Sequence, residues 1–186
     1  MKNLYYLIIT ILFFPVSCKE KKEETKEPPI SALSIIKGQL NHLDTSFYQL
    51  MKFETQNGKT DSTYIKREEV RALAADFLSL NDISQADYFE NYEEVRLIEA
   101  DQNTLSITST AKKTSEEIQK QIIIIPLDEV ASGKVESIYI DRWAQINDSS
   151  IQQKLFWQIG QYFRIGSIIQ QGNEPEIIHT LKVTWK

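Results

Sequence analysis

Hydrophobic residues recur at two periods along this chain, and the switch between them lays out its elements. Leu33, Ile36, Leu40 and Leu43 stand three and four apart, the one-sided stripe of an amphipathic helix. Ser31 is placed to cap its first turn, and Gly38 in its middle costs roughly 1 kcal/mol against alanine. From Phe47 the period is two: Phe47, Gln49, Met51 and Phe53 alternate with Tyr48, Leu50, Lys52 and Glu54. Asn57-Gly58 then accepts the two positive φ angles of a type I′ turn, so Thr60 to Ile65 is the expected return strand. A second helix is predicted over Lys66 to Leu80, with Val70, Leu73, Ala74 and Phe77 buried and Glu68, Glu69, Arg71 and Asp76 facing water. Asn81-Asp82-Ile83-Ser84 ends it, and the chain through Tyr92 reads as irregular.

Strand follows strand from Glu94. Asp101-Gln102-Asn103 separates Val95–Ala100 from Thr104–Ala111, and Ile118 to Leu127 contains four consecutive isoleucines, which suit a strand covered on both faces. Ser132-Gly133 leads into Val135–Trp143, and Asn147-Asp148-Ser149-Ser150 into a long run, Ile151–Gln170, that Gly160 or Gly166 can bend, bulge or divide. Gly172-Asn173 and Pro175 make the last turn. In the final strand Ile177, His179, Leu181, Val183 and Trp185 share the face expected toward the core, with Ile178, Thr180, Lys182 and Thr184 opposite. Turns about every ten residues imply a meander of consecutive antiparallel strands. The fold class is therefore α+β: a curved antiparallel sheet, half-barrel-like, with two amphipathic helices packed on its concave side or across its end. An up-and-down barrel enclosing a ligand cavity is the alternative.

The N-terminus carries a different pattern. Lys2 is followed by an apolar stretch from Leu4 to Val16, and Val16-Ser17 lead into Cys18, the one cysteine of the chain. The stretch falls well short of the ~20 residues that span a bilayer as a helix. This layout resembles a bacterial lipoprotein signal peptide of residues 1–17, with Pro15 where that family usually has leucine. The resemblance implies that Cys18 becomes the first mature residue and carries acyl chains such as palmitate, enough for stable anchoring. A secreted, unlipidated protein is the alternative. One cysteine also excludes an intrachain disulfide.

Residues 18–29 then form a charged tether, four lysines and four glutamates closed by Pro28-Pro29, too polar to offset the entropy of ordering. Residues 30–186 make a single domain, long enough to bury a core without metals. Lysine rather than aspartate after Cys18 lacks the best-known inner-membrane retention signal, so the implied location is the cell envelope, at the outer membrane. The whole chain has 21 basic and 26 acidic side chains, a net of −5, and losing residues 1–17 removes only Lys2. That balance gives nucleic acid and anionic lipid no basic footprint.

Motifs for phosphate, dinucleotide, metal or nucleophilic chemistry are missing, so no enzyme, cofactor or metal site is expected. His42 falls on the polar flank of the first helix. His179 interrupts an apolar strand face and is read as a core histidine satisfied by hydrogen bonds, with a catalytic base as the less favoured role. Glu93-Glu94, Glu116-Glu117 and Asp128-Glu129 read as solvated charges, and Asp61 and Asp141-Arg142 as members of surface ion pairs. Tyr139, Trp143, Phe156, Trp157, Tyr162, Phe163 and Trp185 are expected mainly in the core, any left exposed serving as interface anchors. The chain also resembles the small lipoproteins of Gram-negative envelopes in its Asn57-Gly58-Lys59-Thr60-Asp61-Ser62 turn and strand-rich C-terminal half, a likeness that carries no activity. The expected function is a membrane-anchored interaction or structural accessory, with a carrier of an apolar or amphipathic ligand as the alternative.

Overall fold

Among the described residues, nine antiparallel strands form one curved, open sheet whose inner face is covered in part by short helices. The structure is a computed structural model describing residues 29–146, 149–172 and 174–186, with the Ile146 side chain also left aside. Cys18, the expected signal segment, nearly all of the tether and the Asn147-Asp148 and Asn173 turn positions lie outside the described residues.

The first helix is α1, Ala32–Thr45, and the Ser31 side chain accepts the Ser34 N–H at 3.0 Å as its cap. Strands β1, Leu50–Gln56, and β2, Lys59–Tyr64, form the expected hairpin, with Asn57 and Gly58 at φ 50 and 76. The predicted second helix is broken. A 3₁₀ turn at Arg67–Glu69 leads into α2, Val70–Leu73, and a bend at Ala74 precedes α3, Ala75–Leu78. Ala74 and Phe77 are fully buried, so packing decides the path here and overrides a helical propensity that no proline or glycine interrupts. The stretch read as irregular holds a further turn of helix, α4, Ala86–Phe89. Among the described residues no helix is long and apolar enough to cross a membrane.

The remaining strands run as a meander: β3 Tyr92–Glu99, β4 Thr104–Ala111, β5 Ile118–Pro126, β6 Ser137–Ile146, β7 Ser149–Gln158, β8 Tyr162–Gln171 and β9 Ile177–Trp185. The long run divides at Gly160, whose φ of +73 makes the β7–β8 turn, while Gly166 stays inside β8. Sheet order is β2-β1-β9-β8-β7-β6-β5-β4-β3. The N-terminal hairpin thus joins the C-terminal strand, and the helices cross from one edge to the other. Since β2 and β3 are the edges, the sheet is not the closed barrel of the alternative.

The register sorts the inner face into four rows. In the first, Val183, Phe163, Trp157, Ile138, Ile123 and Ile107 stand opposite one another across six strands, all 4 % exposed or less. Leu181, Ile165, Leu155, Ile140, Gln121 and Ser109 form the second. His179, Ser167, Gln153 and Arg142 form the third, and Ile177, Ile169, Ile151 and Ala144 the fourth.

Helices cover the first two rows. The Phe77 ring meets Trp157 edge-on at 5.2 Å and Phe163 at 5.7 Å, contacts worth roughly 0.5–1.5 kcal/mol each beyond the area they bury. Ala32, Ile36, Leu40 and Leu43 carry α1 into the same core, with Ala32 more deeply set than the expected Leu33. The Gly160 N–H donates to Gln39 Oε1 at 2.9 Å and ties α1 to the β7–β8 turn. In the final strand the alternation is as expected, but only Val183 and Trp185 are fully buried. Ile177 is 41 % exposed, because the helices stop short of it.

Candidate functional site

The third row is polar, and it sits between packed and uncovered surface. A polar residue at core-facing parity needs partners there, and each of these side chains has them. Arg142 Nη2 lies 2.7 Å from Glu117 Oε1 and Nη1 lies 3.8 Å from Asp76 Oδ1, with its side chain only 12 % exposed. The same Nη1 donates to Gln153 Oε1 at 3.2 Å. Gln153 Nε2 in turn donates to Asp76 Oδ2 at 2.9 Å and to Ser167 Oγ at 3.2 Å. Arg142 therefore clamps the α3 segment onto the sheet and holds Glu117 at the head of β5. Both correct the sequence reading: Glu117 is not a free solvated charge, and Asp141-Arg142 is not a surface pair. Arg142 reaches inward, and Asp141 keeps one buried carboxylate oxygen, Oδ1, without a partner among the described residues.

At the other end of the row, His179 Nε2 lies 2.9 Å from Glu54 Oε1. Lys52 Nζ donates to Glu54 Oε2 at 3.0 Å. The hydrogen bonds from Lys52 and then His179 hold the Glu54 carboxyl below its ordinary value of 4.5. His179 is thus satisfied by hydrogen bonding, as expected, but half-buried beside the open surface and outside the packed core. It is paired with Ser167 across β8–β9, and among the described residues no hydrogen bond joins the two. The row offers an imidazole–carboxylate pair at one end and, at the other, a guanidinium whose two terminal nitrogens are engaged while its buried Nε has no partner among the described residues.

Beyond the polar row lie Ile177, Ile169, Ile151 and Ala144, uncovered on the inner face. The outer face at this end adds Ile178 and Trp143, 57 and 53 % exposed, with Ile168 beside Ile178 in register. Ser149 to Gln153 and Ile165 to Gln171 carry no charge. This end of the sheet is an isoleucine–glutamine surface with one exposed tryptophan.

The other expected residues are dispersed. His42 is exposed, with the Tyr48 ring edge-on at 6.0 Å. Glu93, Asp128 and Asp61 are exposed, Glu94 accepts from Arg96 Nε at 2.8 Å, and Glu129 accepts from Ser132 and Lys134. Trp157, Phe163 and Trp185 are core, whereas Tyr139, Phe156 and Tyr162 are half-buried on the outer face. Cys18 lies outside the described residues. Among the described residues no three His, Cys, Asp or Glu side chains gather as a metal site would need. Sequence reasoning missed the polar row. Its signal was present: Gln153 shares the parity of Leu155 and Trp157, and Ser167 that of Phe163 and Ile165. Comparison with known proteins finds no family model, no curated protein and no solved structure that matches the chain.

Proposed function

We propose that this chain is an envelope lipoprotein, anchored at the outer membrane through a lipidated Cys18, whose folded domain serves as a protein-interaction or structural accessory. One observation carries the reading: the uneven use of apolar side chains. Under the helices, the cleft among Ala32, Ile36, Phe77, Leu80 and Ile140 has a volume of ≈ 10 Å³, the size of a single water. At the far end, Trp143, Ile177 and Ile178 are left to solvent beside uncharged glutamines and serines. Exposed aromatic and aliphatic side chains in a low-charge setting are the anchors of protein interfaces.

A photo-reactive residue at Trp143, introduced into the full chain in intact envelopes, tests this. The expected product is a discrete protein adduct that a probe at Thr63 on the β2 edge does not give. Adducts from neither Trp143 nor Ile177 overturn the reading. A second reading, a carrier of an apolar or amphipathic ligand, is favoured by the Ala144, Ile151, Ile169 and Ile177 row beside its polar neighbours. An acyl chain laid along that row meets isoleucine on one side and hydrogen-bonding groups on the other. Lipid in place of protein in the Ile177 adduct selects this second reading.

A further inference from the structure

The two edges of the sheet leave very different surfaces unpaired. β2 presents Lys59, Thr60, Asp61, Ser62 and Thr63, a polar lysine-bearing edge that discourages strand addition. β3 is eight residues long, and among the described residues no strand lies on its side away from β4. Its Val95, Leu97 and Ile98 are 56, 57 and 64 % exposed. Unpaired backbone N–H and C=O groups flanked by exposed apolar side chains make a template for another strand.

We propose that β3 pairs antiparallel with β3 of a second copy of this chain, about a two-fold axis through Val95. The strand's own charges select that register. Two-fold antiparallel pairing sets each residue opposite its reflection about one central residue. With Val95 at the centre, Glu94 faces Arg96 of the second copy, twice over by symmetry, and Tyr92 faces Ile98. It is the one two-fold register in which Arg96 meets an acid. Centring on Arg96 sets the two guanidinium groups face to face, and centring on Glu94 does the same to the carboxylates. Opposite charges directly across a ladder stabilise it and like charges destabilise it. The side chains are already placed for this. Arg96 Nε donates to Glu94 Oε1, which holds both on the inner face; Glu94 Oε2 is buried and has no hydrogen-bond partner among the described residues, so Arg96 of the second copy reaches the carboxylate through Oε1 or after a small turn of the Glu94 side chain. One strand pair is small against the ~1,200–2,000 Å² of a standard interface, so the dimer is weak and concentration-dependent.

Sedimentation velocity of the full chain in detergent, over a concentration series, tests the pairing. A reversible monomer–dimer equilibrium is expected. Glu94→Lys and Arg96→Glu each weaken it about tenfold or more, and an equimolar mixture of the two variants restores it, because the changes complement each other across the axis. Thermal melts matching the parent show that both variants fold. If either melts early, oxidative crosslinking decides: Val95→Cys joins two copies and Leu97→Cys does not. A monomer at every concentration, a dimer indifferent to both charge changes, a mixture that stays monomeric, or open-ended polymers with β3 meeting β2 overturns the proposal.

Discussion

The first and fourth rows of the inner face are built on the same strands, about 20 Å apart at ~3.4 Å per residue, yet they do opposite things. The first, from Val183 through Phe163 and Trp157 to Ile107, is sealed under Phe77. The fourth, from Ile177 through Ile169 and Ile151 to Ala144, stays partly in water among the described residues. Between them runs the row of His179, Ser167, Gln153 and Arg142, and its hydrogen bonds to Asp76 fix where the helical cover stops. An apolar strand face is therefore not by itself a core. What covers it decides, and here a polar row marks the boundary.

If that division is right, substitutions on its two sides separate by several kcal/mol. Trp157→Ala removes a fully buried side chain stacked on Phe163 at 5.0 Å and costs about 3–5 kcal/mol in denaturant melts. A loss under about 1 kcal/mol would mean that the first row is not sealed as a core. Arg142→Met deletes the clamp and leaves the Asp76 and Glu117 carboxylates without their shared cation, an expected loss of about 1–3 kcal/mol. Hydrogen exchange then rises first at residues 75–79, which locates the effect in the helical cover.

A smaller effect sharpens the boundary at its other end. Because the Glu54 carboxyl is held below 4.5 in the folded state, its stabilisation is present above that value and is lost as pH falls through the folded one. Glu54→Gln consequently lowers the melting temperature slightly at neutral pH and narrows the drop on acidification below pH 4.5. The carboxylate is 43 % exposed and the imidazole half-buried, so solvent screening keeps the change small. An unaltered acid profile in Glu54→Gln removes this pair from the account of the boundary.

Much of this was legible in the residues, where local chemistry decides. Asn57-Gly58 prescribed the hairpin, Ser31 the start of α1, and Asp101-Gln102-Asn103 the break before β4, whose bounds match the expectation. Period two in β9 placed its faces correctly, but parity says which side a residue points to and nothing about what lies over it. Ile177 was expected inside on those grounds and is at the surface. The bend at Ala74, the pairing of β1 with β9 and the inward turn of Arg142 all depend on partners far away in sequence. β3 begins at Tyr92 rather than Val95 because Tyr92 is buried opposite Ala111, a contact its neighbours Glu93 and Glu94 disguise.

The uncovered row is held for contact and contributes little to stability. Ile177→Ser in the full chain is the decisive variant, read at once by denaturant melt and by yield of the photo-adduct from a probe at Ile169, its neighbour in the row, in intact envelopes. The stability change is expected to stay within about 0.5 kcal/mol, as for other exposed sites, while most of the adduct is lost. A loss of about 2 kcal/mol or more with the adduct undiminished would make the fourth row part of the core.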